Sequence, residues 1–200
     1  MNEMHLALHG LAIKKHAGPA AVAATVGLSE TRVAELLQQA VTTGRASEAQ
    51  GAYLLSPAGR LIIESLYSTM FDRERQDDAL VAAYDKFERI NTELKQLITD
   101  WQTLDVGGQK VRNDHSNKDY DARVLDRLGN LHERFTPVLA QLCRSVPRLE
   151  LYRKKLDHAL DRAEAGQVQW VSDAKIDSFH TVWFEMHEDL LRILGRQREE

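Results

Sequence analysis

Two hundred residues, 43% of them hydrophobic, are enough to bury a core and to fill one or two domains. A formal net charge of −4 and a pI near 6.1 give no overall attraction to nucleic acid or to an anionic membrane. A single cysteine, Cys143, excludes an intramolecular disulfide framework and fits a reducing, cytoplasmic setting. No apolar run approaches membrane length, and the N-terminus enters a helical pattern with no signal peptide, so no membrane partner is expected.

The first third is punctuated like a small helix-turn-helix unit. Leu6, Leu8, Leu11 and Ile13 mark a first helix that stops at His16-Ala17-Gly18. Pro19 suits the first turn of a short helix, PAAVAATV, closed by Gly27. Ser29 is a good N-cap for a third helix carrying Val33, Leu36, Leu37 and Val41 and ended by Gly44. RASEAQGAYLLSPAGR then reads as two short strands about Gly51, followed by a turn at Ser56-Pro57 into a new helix.

This stretch resembles the winged-helix domains of MarR-type regulators, and Leu55-Ser56-Pro57-Ala58-Gly59-Arg60 is similar to the sequence that closes their wing. The resemblance implies a winged helix over residues 1–68, with Thr31, Arg32 and Arg45 as the DNA contacts if the unit acts on DNA. The charges argue against that role. Lys14, Lys15, Arg32, Arg45 and Arg60 are matched by Glu3, Glu30, Glu35, Glu48 and Glu64, whereas phosphate contacts supply much of DNA affinity. Glu30 and Glu35 flank Arg32, and the wing tip at Gln50-Gly51-Ala52 has no arginine. Docking onto a protein is the other use of such a unit.

Residues 69–200 read as a helical domain, giving a mainly α chain: an N-terminal winged helix-turn-helix with a small β-hairpin, then a four-helix-type bundle. Leu80, Tyr84, Phe87, Asn91, Leu94, Ile98 and Trp101 follow alternating steps of three and four, the spacing of a buried seam. Asn91, its one polar member, is either a register-fixing residue or part of a pocket. A second seam runs Val124, Leu128, Leu131, Phe135, Val138, Leu142, with Pro137 inside it. Pro147 opens a third helix that stops at Gly166, and DAKIDSFHTVWFEMHEDLLRIL forms a fourth that ends near Gly195. SLYSTMFDRERQDD joins the two parts as helix or a helical bend.

Chemistry gathers in two places. On the fourth helix, Ile176, His180, Trp183, Phe184, His187, Leu191 and Leu194 share one face, with Asp173 and Asp177 on its N-terminal extension. Polar groups on such a face line a cavity or close a hydrogen-bond network. Asp177 and His180, at i,i+3, suit an oriented general base as well as a structural pair. Between the first two bundle helices, TLDVGGQKVRNDHSNKD has no clear periodicity and reads as a mobile surface loop or a site loop. It offers Asp114–His115 for proton transfer and Lys110 or Arg112 for an anion. Neither His180 with His187 nor His5 with His9 has the further ligands of a zinc motif, so no metal is expected. No nucleotide-binding loop appears.

Across the chain, Ile98-Thr99-Asp100-Trp101-Gln102, Asn113-Asp114-His115-Ser116 and Asp177-Ser178-Phe179-His180-Thr181-Val182-Trp183-Phe184-Glu185 resemble a group of actinobacterial winged-helix, MarR-like proteins. Similar segments occur fused to or beside enzymes of the phosphoenolpyruvate synthase and pyruvate phosphate dikinase class, some of which are multi-subunit kinases for phenols such as hydroxyphenyl ketones. The resemblance implies an acceptor-binding subunit of such a phosphotransferase. ATP and Mg would then sit on a dikinase-like partner chain, and this chain would bind no cofactor. The expected pocket takes a small aromatic molecule between Trp101, Trp183 and Phe184, with Asn91 and His187 nearby. His180 backed by Asp177, or His115 backed by Asp114, would be the base, and Lys110 or Arg112 would meet the phosphoryl group. The alternative is a ligand-responsive DNA-binding regulator.

Overall fold

A computed structural model describes residues 2–197 and is mainly helical, with two small antiparallel sheets. The described chain gathers into two compact units, one of residues 2–77, 148–152 and 184–197 and one of residues 78–147 and 153–183. The first unit therefore takes in chain well beyond the N-terminal 68 residues.

In the first unit the elements run α1 (Glu3–Lys14), β1 (His16–Ala17), α2 (Pro19–Val26), α3 (Glu30–Thr42), β2 (Ala46–Ala49), β3 (Ala52–Leu55), α4 (Pro57–Met70) and α5 (Asp72–Arg75). The helices α1 to α4 each start where a short polar side chain or a proline suits a first turn. Ser29 Oγ accepts from Arg32 N at 3.2 Å, and Ser56 Oγ accepts from Gly59 N at 3.0 Å ahead of Pro57. The sheet order is β1-β3-β2. β1 was not expected: two residues carry no alternation to read, and only the pairing of His16 with Leu54 and Ala17 with Tyr53 defines it. Two glycines are fixed by close approach. A Cβ on Gly59 would lie 1.8 Å from the Arg45 carbonyl oxygen, and one on Gly10 2.5 Å from Val26 Cγ1 where α1 meets α2.

The second unit holds α6 (Asp78–Gln102), β4 (Thr103–Val106), β5 (Gln109–Arg112), α7 (Lys118–Ser145) and, after a 3-10 turn at Pro147–Leu149, most of α8 (Glu150–Glu164). It also holds α9 (Gln169–Ser172) and the first turn of α10 (Phe179–Leu194). α6 and α7 are antiparallel neighbours: Glu93 pairs with Arg134 at 2.6 Å, Asp100 with Arg127 at 2.8 Å, and Tyr120 OH donates to the Asp100 carbonyl at 2.8 Å. The whole α6 seam from Leu80 to Trp101 is buried. On α7, Leu139 rather than Val138 continues the buried stripe past Pro137. In the core Trp183 lies 4.5 Å from Phe135 and 5.1 Å from Phe87, ring to ring. Its indole N–H donates to Asn91 Oδ1 at 3.0 Å.

The core of the first unit is built around a charge. Asp189, on the part of α10 belonging to this unit, is fully buried. Its Oδ1 meets His9 Nε2 at 2.9 Å and Arg148 Nη2 at 2.8 Å, and its Oδ2 meets Tyr152 OH at 2.9 Å. Arg148 Nη1 completes a two-pronged pair with the same carboxylate. With His9 Nε2 donating, its Nδ1 is left to accept from Tyr67 OH, 3.2 Å away. Burial alone would raise the Asp189 carboxyl, but Arg148 and His9 overcome that and hold it well below the usual carboxylate range. Burial pushes the His9 imidazole down, against a weaker pull upward from Asp189.

Both shifts have the same sign for stability. His9 stays neutral in the fold and protonates on unfolding, so its contribution is complete above about pH 6.5 and is lost as the pH falls. Asp189 behaves likewise from about pH 4 downward. Urea midpoints are expected to fall between pH 7.5 and 5.5, with a slope of up to about 1.4 kcal/mol per pH unit for each such histidine. A flat profile over that range would contradict the account. Arg148→Ala, which strands the Asp189 carboxylate, is expected to cost on the order of 3–5 kcal/mol in the same assay.

Candidate functional site

The stretch between α6 and α7 is a hairpin rather than an aperiodic loop. Thr103 pairs with Arg112 and Val106 with Gln109, and the two central residues, Gly107 and Gly108, have φ of 62° and 83°. Two successive left-handed residues are what a two-residue hairpin turn requires, and glycine supplies them without strain. Alternation along β5 puts Lys110 and Arg112 on one face.

Beyond the hairpin the chain is tied down by Asn113, a buried side chain with three hydrogen bonds. Its amide nitrogen Nδ2 donates to the Trp101 carbonyl and to Asp121 Oδ1, each at 3.0 Å. Its Oδ1 accepts from His115 N at 3.0 Å. This brings His115 onto the Trp101 indole, with ring centroids 4.5 Å apart, and leaves its backbone at φ 60°. A left-handed histidine costs on the order of 1–3 kcal/mol and persists only where neighbours enforce it. His115 Nδ1 sits 3.2 Å from both carboxylate oxygens of Asp121, a buried acid in the first turn of α7. The N-terminal end of that helix favours the carboxylate charge. Asp121 fixes the ring so that Nδ1 donates and Nε2 keeps its lone pair.

Trp101, His115, Lys110 and Arg112 line one cleft of about 720 Å³, closed on the other side by α9 and by Asp173 and Lys175. That volume lies within the usual range for small-molecule sites, about 300–1,000 Å³. An imidazole packed on a buried indole and oriented by a carboxylate, and three cations (Lys110, Arg112 and Lys175) against the single carboxylate of Asp173, suit a small ligand that carries or acquires negative charge. Such a site can also move a proton, because a ring held through Nδ1 offers Nε2 as a base.

Other expected site residues lie elsewhere. Asp114 is exposed, and the Ser116 hydroxyl, followed by Ser116 N at 3.0 Å, holds its carboxyl below its ordinary value. Adjacent residues of a tight turn face apart, so the carboxylate on His115 is Asp121 instead. The Asp177–His180 pair does not form. α10 begins only at Phe179, with Ser178 Oγ accepting from Thr181 N at 3.3 Å, so Asp177 is not on the helix and the i,i+3 geometry does not apply. Asp177 Oδ2 instead lies 2.9 Å from Lys155 Nζ, an ion pair off the line of a hydrogen bond. His180 is half-buried, and burial lowers its pKa. Asn91 and Trp183 bond each other in the core of the second unit. Phe184 and His187 belong to the first unit, Phe184 beneath Lys15 Nζ at 5.5 Å from its centroid and His187 buried.

Nothing in the residue pattern marks Asp121, Lys175 or the three hydrogen bonds of Asn113 as parts of one site. The available signal was Asn117, which caps α7 by accepting from Tyr120 N at 3.0 Å and places Asp121 one turn in. Among the described residues no group of three or more His, Cys, Asp or Glu side chains is arranged to hold a metal ion, and no helix is long and apolar enough to cross a membrane. No protein-family model, curated protein or solved structure matches the chain.

Removing the Asn113 side chain strips a donor from the buried Trp101 carbonyl and from Asp121. Asn113→Ala is expected to destabilise the protein by about 1–3 kcal/mol in chemical denaturation. A loss below about 0.5 kcal/mol would mean that the knot does not hold the cleft.

Proposed function

We propose that the cleft beside Trp101 is the acceptor site of a phosphotransferase subunit that binds a small phenolic molecule. The observation carrying this reading is the convergence of Trp101, the Asp121-held His115, Lys110 and Arg112 on one cleft. The aromatic ring lies beside the His115 imidazole, which packs on the buried Trp101 indole. His115 Nε2 takes the hydroxyl proton as the phenolic oxygen bonds to phosphorus, and the bond from phosphorus to its donor breaks. Lys110 and Arg112 offset the charge on the phosphoryl oxygens. The donor machinery, ATP with Mg, belongs to a dikinase-like partner chain, in keeping with the resemblance in the sequence. His115 replaces His180 as the favoured base because only His115 has a carboxylate behind it.

The test begins with capture of the partner from the native host and reconstitution of transfer to a hydroxyphenyl ketone. His115→Gln is expected to lower turnover by about 10²- to 10⁴-fold with little change in acceptor binding. His180→Ala is expected to leave turnover within about twofold, since the half-buried ring carries no oriented base. The opposite pattern would move the chemistry to α10.

A ligand-responsive DNA-binding regulator remains the second reading, favoured by one observation. The order α1-β1-α2-α3-β2-β3 with sheet order β1-β3-β2 supports a winged helix, with α3 where a recognition helix would be. The side chains point the other way. Arg32 Nε is held by Glu3 at 2.8 Å and its Nη1 by Glu35 at 2.9 Å, so a base contact would have to break both. Thr31 is exposed and Arg45 partly buried. Salt-sensitive binding to paired half-sites about 34 Å apart would establish the regulator, and its absence at low salt is the expected result.

A further inference from the structure

The first unit contains a second cavity, and none of its lining residues lines the Trp101 cleft. It measures about 140 Å³ and lies between α1, β3, α4 and α10. Leu11, Leu55 and Ile63 form apolar walls, and Lys15, Arg60 and Arg192 line the same space. Tyr67 also lines it, with its hydroxyl engaged by His9 of the buried Asp189 network. An apolar cavity of about 150 Å³ accommodates benzene, which sets the size of what can enter.

Its charges do not cancel. Arg192 is matched by Glu188 at 2.7 Å. Lys15 and Arg60 pair with no carboxylate among the described residues, and the one acid lining the cavity is Glu64. One positive charge is left over beside a space with mixed polar and apolar walls, and Lys15 Nζ also lies over the Phe184 ring, 5.5 Å from its centroid. Lys15 carries a further mark of use. Its backbone sits at φ 65° and ψ −54°, a strained region for any residue with a side chain, and this conformation places it at the cavity after the end of α1. Glycine would fit there without strain, yet the position holds a lysine.

We propose that this cavity binds a small carboxylate with an apolar body no larger than a benzene ring. The body packs on Leu11, Leu55 and Ile63, and the carboxylate faces Lys15, Arg60 and Arg192. Phosphate shares the charge but has no apolar part to bury. A primary amide shares the shape but has no charge.

Calorimetric titration of the full chain with benzoate, isovalerate, benzamide and inorganic phosphate tests the assignment. Benzoate and isovalerate are expected to bind saturably, with benzamide and phosphate at least about tenfold weaker. Lys15→Ala and Arg60→Ala, both at exposed positions, are each expected to weaken benzoate by about tenfold, and Glu64→Gln to strengthen it. Lys110→Ala is expected to change nothing, which separates this cavity from the Trp101 cleft. Lys15→Gly separates strain from binding, since it should weaken benzoate as much as Lys15→Ala while raising the thermal midpoint. Equal affinity for benzamide, affinity for phosphate matching that for benzoate, a loss that follows Lys110 instead of Lys15 and Arg60, or no saturable binding would each overturn the proposal.

Discussion

A carboxylate without access to water must be met by donors or stay protonated, and Asp189 imposes that condition on the first unit. Its two oxygens are satisfied by His9, Arg148 and Tyr152, and His9 in turn engages Tyr67. These residues come from α1, from the segment 148–152, from α4 and from α10. Asp189 sits on one of the three stretches of sequence that make up the unit, and its partners come from the other two. Apolar burial supplies the general driving force, but it does not by itself select which segments meet. A network whose failure strands a charge does select them.

That selection is invisible to periodicity. Residues 9 and 189 are 180 positions apart, and nothing in the spacing of either announces the other. What was legible is local. The α6 seam is buried at every expected position, because one regular helix projects its residues onto a fixed face. The starts of α2, α3 and α4 follow from Pro19, Ser29 and Ser56-Pro57, because helix starts are settled within a few residues. Failures occurred where local signals competed. Around residues 173–178 the helical spacing runs on through Ser178, which in the fold caps α10 instead. At 103–112 the paired glycines suggest looseness by composition, yet two left-handed positions in succession close a hairpin.

The candidate site shows the same division. Trp101, Lys110, Arg112 and His115 stood out in the sequence as residue types suited to aromatic and phosphoryl chemistry, and they line one cleft. Their geometry depends on Asn113 and Asp121, which no chemical signature singled out. Asn113 joins the end of α6, the hairpin and the start of α7, and in doing so holds a strained histidine against an indole. Strain of this kind is expected where a ring must be presented in one orientation. The aromatic cluster about Trp183, which looked equally suited to a ligand, is instead filled by its own neighbours and closed by Asn91.

The central claim is that ligand chemistry belongs to the Trp101–His115 cleft. The three tryptophans give separate indole signals, and of these Trp101 alone lines the cleft while Trp183 lies in the closed core. Nitrogen–proton correlation spectra recorded while a hydroxyphenyl ketone is added locate the site directly. The account predicts that the Trp101 indole and the His115 imidazole move together and saturate, with Trp183 and His180 unmoved. Movement of Trp183 and His180 with Trp101 and His115 still would contradict it.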